Sequence, residues 1–253
     1  MTLRLLPEDF DELINAAVSV FWRSRATGST AQAGSRGKVL DGKNMDGFVE
    51  VTRAVATHCG LPPESVFAKG RKFVTLPGYY RPHKNWDVLV IREGRLLGVL
   101  EFKSQVGSFG NNFNNRAEEA IGNATDLWVA NSEGAFAPER HLVYEGPPPP
   151  DPRPPFLGYL MLLEDCEGST RPIAAESAQY PIFPEFSGAS YAQRYRILCE
   201  RLVERGLYDA AALTMSPRAS GPDSSWSALS PATGIRNLYA ELAGRLLAAG
   251  EAG

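Results

Sequence analysis

Three charged residues that could hold a metal ion and act on a phosphate adjoin apolar runs of this 253-residue chain. Asp87 precedes Val-Leu-Val-Ile, and Glu101 and Lys103 follow Leu-Gly-Val-Leu. Because side chains alternate along a strand, Glu101 and Lys103 share a face, while Phe102 points to the other. Mg²⁺ typically binds one or two carboxylates, water and a phosphate oxygen. The spacing therefore predicts a Mg²⁺ site with Asp87, Glu101 and Phe102 as metal ligands and Lys103 beside them.

Lys103 has two available roles in such a site. It could orient the attacking water and stabilise the anionic transition state as a cation, or accept a proton. The second role requires a pKa far below the usual value of about 10.4 for lysine. We favour the first role because it requires no pKa shift.

The bare motif also has a purely structural interpretation. An acid and a lysine two residues apart are common on exposed strands, and an upstream aspartate is easily found by chance. Charged residues are nevertheless rare inside apolar strands unless they are paired or coordinate something. The apolar flanks therefore favour a functional site.

The elements that would position these residues form a hairpin. Residues 86–91 and 96–103 are two β-rich runs joined by residues 92–95. Both runs are apolar almost throughout, which predicts a central place in a mixed sheet. A polar, Asn-rich loop at 107–115 and a helix at 116–130 should follow. Further predictions are helices at 7–25, 44–58, 192–205 and 234–249, and a strand at 156–163.

The fold class is therefore α/β, with a central mixed sheet flanked by helices. The proline-rich residues 146–155 should be extended, since proline supplies no donor. We interpret them as a connection inside one domain that spans residues 1–253. Glu50, on the second predicted helix, is a further candidate catalytic acid. It lies off the apolar stripe, on a face that could meet either solvent or the site.

Charge is distributed unevenly along the chain. Residues 21–84 hold eleven Lys or Arg and four acids, a local charge of +7, which leaves −10 for the rest of a chain of net charge −3. The basic part, including a mobile loop expected at 28–42, could face the phosphates of a nucleic acid, or it could be a solvated surface without a partner.

Several classes of protein are disfavoured. No apolar run is long enough for a membrane span and the acidic start is unlike a signal peptide, so we expect a cytoplasmic protein without a membrane partner. Cys59, Cys166 and Cys199 form no CxxC pair and are expected to be reduced and buried. The three histidines form no metal-binding cluster, and no nucleotide-binding glycine motif is present.

Longer segments resemble a known family. They are GKNMDGF at 42–48, LEFKSQVGSFGNNFNNR at 100–116, FPEF at 183–186 and YAQRY at 191–195. These resemble the XhoI family of type II restriction endonucleases, within the PD-(D/E)XK nucleases, although Trp86 stands where that motif has proline.

The resemblance implies a restriction-endonuclease-like fold and a homodimer that uses Mg²⁺ to cut both strands of double-stranded DNA at CTCGAG. It also implies a companion DNA methyltransferase. A PD-(D/E)XK nuclease of repair or recombination and a DNA-binding module with a merely structural acidic cluster are the alternatives.

Candidate DNA contacts fall into two groups. Amide and guanidinium groups can read base edges, although the asparagines could equally form a turn. Basic side chains more commonly contact phosphates. The base-reading candidates are Asn111, Asn112, Asn114, Asn115 and Arg116. The phosphate candidates are Lys38, Lys43, Arg71, Lys72, Arg81 and Lys84, and we add Asn44, Ser104 and Gln105 to the DNA-binding set.

Overall fold

The computed structural model of the protein describes residues 4–28, 44–68, 70–146, 153–218 and 225–250. The helices are α1 (Phe10–Gly28), α2 (Asp46–His58), α3 (Phe109–Ser132), α4 (Glu167–Thr170), α5 (Tyr191–Glu204) and α6 (Ile235–Gly250). The strands are β1 (Val66–Phe67), β2 (Thr75–Pro77), β3 (His83–Asn85), β4 (Val88–Arg92), β5 (Arg95–Gln105), β6 (Phe156–Glu164) and β7 (Ala210–Ser216). Short 3₁₀ turns cover Pro63–Ser65, Arg71–Val74, Pro138–Arg140 and Pro184–Phe186.

A five-stranded mixed sheet in the order β1-β4-β5-β6-β7 forms the centre. β4 and β5 are the predicted antiparallel hairpin. Its turn residues Glu93 and Gly94 both have positive φ, of 50° and 71°, as a tight two-residue hairpin requires. β6 pairs parallel to β5, and β7 parallel to β6. The motif strand β5 is thus an interior strand, as its apolar sequence predicts.

Helices cover both faces of this sheet. On one face α1, α2 and α6 pack against side chains such as Leu100 and Phe102 of β5. On the other, α3 and α5 pack against side chains such as Val99 and Tyr159. The predicted α/β class, with a central mixed sheet flanked by helices, is confirmed. The extent of the domain over residues 1–253 stays a prediction.

The predicted helices and strands largely agree with the structure, with one clear error. The Asn-rich loop expected at 107–115 is wrong, because α3 begins at Phe109. Phe109 and Phe113 lie one helical turn apart and contact the rings of Tyr191 and Tyr195 on α5, at centroid distances of 6.0 and 5.1 Å. Burying these rings favours helix over the turn that asparagine suggests.

Other expectations have mixed outcomes. Cys59 and Cys199 are buried, Cys166 is half-buried, and all three are free thiols. Most of the basic loop at 28–42 and residues 147–152 of the proline-rich segment lie outside the described residues. No helix that the structure describes is long and apolar enough to cross a membrane. The sequence did not predict β1, β2, β3 or β7.

A small second sheet, the β2–β3 hairpin, is fixed to α3 through one carboxylate. Asp126 Oδ1 accepts hydrogen bonds from the main-chain N–H groups of Tyr79 and Tyr80, each 2.8 Å long. Its Oδ2 accepts from Arg81 Nε at 2.7 Å. Burial opposes ionisation of Asp126, but these three donors outweigh it and lower its pKa below 3.8. The tip of the hairpin is therefore held by a charged, buried contact.

Gly78 lets the chain approach this carboxylate closely. A Cβ at position 78 would lie 2.6 Å from Asp126 Oδ2 and 2.7 Å from the main-chain oxygen of Arg81. We expect Gly78→Ala to lower the free energy of unfolding, measured in urea, by about 1–3 kcal/mol, because the added methyl group must push the turn away from the Asp126 carboxylate. Gly122 on α3 has no atom within 4 Å of its Cβ position. The control Gly122→Ala should instead raise stability by about 0.5–1 kcal/mol, and equal stability of both variants would contradict this packing.

The Asp126 carboxylate also predicts a pH dependence. Its pKa is depressed on folding, so its contribution is complete above the unfolded pKa of about 3.9 and is lost as the pH falls below it. Asp126→Asn should cost about 1–3 kcal/mol near neutral pH. The difference from wild type should shrink below about pH 4 in urea titrations. Glu118→Gln, an exposed change on the same helix, is the control. If the difference in the free energy of unfolding between wild type and Asp126→Asn did not depend on pH, the ionised contact of Asp126 with the hairpin would be excluded.

Candidate active site

The Glu101 carboxylate is fully buried and surrounded by donors. Its exposed fraction is 0%, yet Oε1 lies 2.9 Å from Lys103 Nζ and 3.2 Å from Lys84 Nζ. Asn123 Nδ2 donates to the same oxygen at 2.8 Å, and the Tyr208 hydroxyl donates to Oε2 at 3.1 Å. A buried carboxylate is tolerable only with such compensation. We call these five residues the Glu101 cluster.

Asp87 reaches the site from the neighbouring strand. The register pairs Val88 with Leu100, which brings Asp87 opposite Glu101 just beyond the last paired residues of β4. Asp87 Oδ2 accepts a hydrogen bond of 2.8 Å from the Phe102 main-chain N–H. The hairpin thus brings the two predicted acids and Lys103 together, because both strands carry them to the same end of the sheet.

The ionisation of the cluster follows from its contacts. Burial raises the pKa of Glu101, but the ammonium groups of Lys103 and Lys84 outweigh it, so the net shift is downward. For Lys103, burial is outweighed by the attraction of Glu101 and Asp87, and its pKa rises. For Lys84, burial prevails and the pKa falls. Lys103 is therefore held as a cation, in agreement with the role favoured for it from the sequence.

Asp87 has the opposite balance. Burial raises its pKa; the Phe102 N–H and Lys103 lower it, while repulsion from Glu101 adds to the rise, and the net shift is upward. The charge of Asp87 is thus incompletely compensated by neighbouring side chains. This is the condition in which an added cation favours the ionised acid.

A polar cleft of about 370 Å³ opens beside Asp87. It runs between α1 and α3 along the end of β5, and is not lined by the Glu101 side chain itself. Glu119 on α3 lies 2.6 Å from Arg116 and 3.8 Å from Lys103. The residues lining the cleft are Arg25, Met45, Asp87, Phe102, Lys103, Ser104, Gln105, Val106, Asn112 and Arg116.

The side chains around the cleft bear on whether a Mg²⁺ ion could bind there. No group of three or more His, Cys, Asp or Glu able to hold a metal occurs within the part of the chain that the structure describes. Asp87 and Glu101 nevertheless supply the one or two carboxylates that Mg²⁺ usually takes from a protein. The Phe102 ring packs against Phe48 at 6.2 Å, so only its main-chain carbonyl could be a ligand. Asp87, which lines the cleft, therefore fits a hydrated Mg²⁺ ion directly, whereas Glu101 would have to exchange one of its present donors for the ion.

Trp86 occupies the place of the motif proline. It is buried, and the ammonium group of Lys84 lies 4.2 Å from its ring centroid. A cation is attracted to the face of an indole ring at this distance. Trp86 therefore helps to hold Lys84 against Glu101.

Two predicted phosphate contacts, Arg81 and Lys84, are paired with acids of the protein. Lys84 has an exposed fraction of only 13% and belongs to the Glu101 cluster. Arg81 is ion-paired with Asp126 and donates through Nη2 to Asn123 Oδ1 at 2.8 Å. Both side chains were assigned to phosphates from charge alone, and their acidic partners were distant in sequence. Each has an acidic partner within the protein, and its contact with phosphate stays a prediction.

Other candidates in the DNA-binding set are also internal. Asn44 is buried and accepts a 2.7 Å hydrogen bond from the Ser24 hydroxyl. Gln105 is buried and donates to the Gly107 carbonyl. Asn44 is thereby held inside the protein, whereas Gln105 also lines the cleft. Ser104 lines the cleft and remains available to a ligand there.

The start of α3 carries the asparagines on a helix instead of a turn. Asn111, Asn114 and Asn115 are exposed, whereas Asn112 is half-buried and donates to the Ser108 carbonyl at 3.0 Å. Arg116, one turn further, lines the cleft. A helix that presents several amides is a suitable element for a DNA groove.

The remaining candidates divide by position. Glu50 is 66% exposed, pairs with Arg53 at 3.6 Å and does not line the cleft. Of the two environments left open for it, the structure favours solvent. Lys72 is exposed on the 3₁₀ turn Arg71–Val74, of which the Arg71 side chain is not described. Lys38 and Lys43 lie outside the described residues.

Sequence reasoning named Asn112 and Arg116 but missed Glu119, Asn123 and Asp126 on the same helix. A polar stripe on α3 passes the cleft, Lys103, Glu101 and the β2–β3 hairpin in turn. Its members follow each other by three or four residues, which places them on one helical face. That spacing was the signal that could have found them. The stripe consists of Asn112, Arg116, Glu119, Asn123 and Asp126.

Comparison with known proteins identifies the family of the chain. Residues 24–228 match the family model described as restriction endonuclease XhoI. The chain is 46% identical over 204 residues to the type II restriction enzyme XhoI of Xanthomonas vasicola, covering 78% of this chain and 77% of that protein. It is 42% identical over 199 residues to BstVI of Geobacillus stearothermophilus, covering 76% and 82%.

A third relative, the type II restriction enzyme AbrI of Azospirillum brasilense, is 44% identical over 180 residues, covering 68% of this chain and 74% of that protein. No solved structure matches the chain. The matched residues contain the hairpin, the Glu101 cluster and the polar stripe of α3. The chain therefore belongs to the XhoI family of type II restriction endonucleases.

Proposed function

We propose that this protein is a Mg²⁺-dependent type II restriction endonuclease that hydrolyses both strands of double-stranded DNA at CTCGAG. The observation that carries the proposal is the pairing of Asp87 with the buried, doubly lysine-bound Glu101 beside a polar cleft. Such a concentration of buried charge is costly for stability and typical of sites that do chemistry.

Each residue of the site has a distinct task in this proposal. Asp87 and Glu101 hold the Mg²⁺ ion, with the Phe102 carbonyl as a third candidate ligand. When bound, the ion supplies charge stabilisation at the phosphate and acidifies its bound water. Lys103, held as a cation by Glu101, orients the attacking water and offsets negative charge that develops on the phosphate.

The cleft and the start of α3 are the proposed DNA-facing surface. Arg116 and the half-buried Arg25 line the cleft and are suited to phosphate oxygens. The exposed amides of Asn111, Asn114 and Asn115 are suited to base edges in the major groove. Lys72 and the basic residues outside the described ranges would add phosphate contacts that carry no sequence information.

The proposed DNA target and the proposed homodimer rest on membership of the family. Cutting a palindrome symmetrically requires two active sites related by a twofold axis, so we propose a homodimer. A site-specific enzyme that cuts unmodified DNA would destroy the genome of its own cell, so we also propose a cognate DNA methyltransferase and action in the cytoplasm.

Digestion of a DNA of known sequence with Mg²⁺, followed by mapping of the ends, tests the proposal. Wild type should cut at CTCGAG on both strands. Asp87→Asn, Glu101→Gln and Lys103→Ala should each lower the cleavage rate by roughly 10³-fold or more, because the first two remove a carboxylate that would hold the Mg²⁺ ion and the third removes the cation beside the reacting phosphate. Binding of the same duplex in Ca²⁺ should be largely retained. Glu241→Gln, an exposed change on α6, should cleave as wild type does.

Three results would overturn parts of the proposal. Cleavage that survives Glu101→Gln or Lys103→Ala undiminished would exclude this active site. Ends spread over unrelated sequences would favour a repair or recombination nuclease. Binding without cleavage by wild type would favour a DNA-binding module whose acidic cluster is structural.

A further inference from the structure

Two large aromatic side chains stand in solvent at the tip of the β2–β3 hairpin. Tyr79 is 54% exposed and Tyr80 is 70% exposed, and their rings meet edge to face at a centroid distance of 5.0 Å. Aromatic rings of this size contribute most when they are covered. Leaving this ring surface in contact with water is unfavourable. A binding partner that covers the rings would remove this unfavourable exposure.

The support beneath these rings is rigid. Asp126 accepts hydrogen bonds from the main-chain N–H groups of both tyrosines. Gly78, which has no side chain, allows the turn to lie close to that carboxylate. A fixed backbone leaves little conformational entropy to lose when the rings are covered. The tip thus has the properties of a preformed contact element.

Hydrogen bonds connect the tip to the active site. Arg81 at the end of the turn bonds both Asp126 and Asn123, at 2.7 and 2.8 Å. Asn123 donates to Glu101 Oε1 at 2.8 Å. The next strand supplies Lys84 to the same oxygen. A molecule touching the tip is therefore linked, through the partly exposed Arg81 and the buried Asn123, to the carboxylate proposed to hold the metal.

Charge around the hairpin favours a polyanion. Residues 70–85 contain four Lys or Arg and no acid. Arg81 and Lys84 are neutralised by Asp126 and Glu101, whereas Lys72 is exposed. A second copy of this chain would bring either its own basic hairpin or a surface whose charge is unknown. A DNA duplex instead brings phosphates, which a basic segment attracts.

We infer that Tyr79 and Tyr80 form a DNA-contacting tip that packs on the duplex away from the cleaved phosphate, since Asp126 beneath the tip lies about 15 Å along α3 from Arg116 of the cleft. The inference rests on the proposed function, since the duplex is the substrate of that site. Aromatic rings can pack on sugars or insert against a base step. Each such contact contributes a binding free energy similar to that of a ring stacked on a base. The contact also fixes the hairpin that carries Arg81, which bonds Asn123 on α3 and, through Asn123, Glu101.

The test uses a short duplex carrying the site that the wild-type protein cuts. The double change Tyr79→Ala with Tyr80→Ala should weaken binding in Ca²⁺ by about tenfold or more and slow cleavage in Mg²⁺. Tyr79→Phe with Tyr80→Phe keeps both rings and should bind nearly as wild type. The photoreactive residue p-benzoylphenylalanine in place of Tyr80 should crosslink to the DNA.

Leu142→Ala is the matched control, because Leu142 is 99% exposed and lies outside the hairpin. It should leave binding and cleavage unchanged. If the alanine double variant binds and cuts as wild type, the inference is wrong while the proposed nuclease stands. Crosslinking to a second protein chain, or loss of a sedimenting dimer in the alanine variant, would assign the tip to subunit contact. Absence of cleavage by wild type would refute the proposed function itself.

Discussion

The ionised carboxylate of Glu101, buried in the interior strand β5, is the constraint on which the rest of the site depends. A charge without solvent contact is among the most costly groups that a fold can contain, and it persists only with close counter-charges and hydrogen bonds. Lys103, Lys84 and Asn123 converge on one of its oxygens, and Tyr208 on the other. Lys103 lies on β5 together with Glu101. The other three donors come from β3, from α3 and from the residues just before β7.

This requirement explains features that have no obvious place in an apolar core. The α3 face toward β5 is polar along most of its length, because Arg116, Glu119, Asn123 and Asp126 successively contact the cleft, Lys103, Glu101 and the hairpin. The small β2–β3 sheet, separate from the five-stranded one, brings Lys84 to Glu101. Asp87 alone faces the cleft without full compensation, and this difference between two adjacent acids favours cation binding.

The hairpin, its central position and the three motif residues could be predicted because they depend on local pattern. Apolar runs, a turn and alternation along a strand are all visible within about twenty residues. The other members of the Glu101 cluster were not visible in this way. Lys84 is flanked by the exposed residues His83 and Asn85, so nothing nearby marks it as buried. The alanine-rich β7 likewise becomes a strand through pairing with β6, and the Asn-rich segment becomes helical through ring contacts with a helix about eighty residues later.

A double-mutant cycle between Glu101 and Lys84, read by urea unfolding, tests the central role of this buried pair most directly. Glu101→Gln alone should lower the free energy of unfolding by about 3–5 kcal/mol, since it leaves ammonium groups buried without their counter-charge. Adding Lys84→Met should cost less than the two single changes summed, with a coupling energy of about 1–3 kcal/mol. Strictly additive losses, or a Glu101→Gln protein as stable as wild type, would show that the fold does not depend on this interaction.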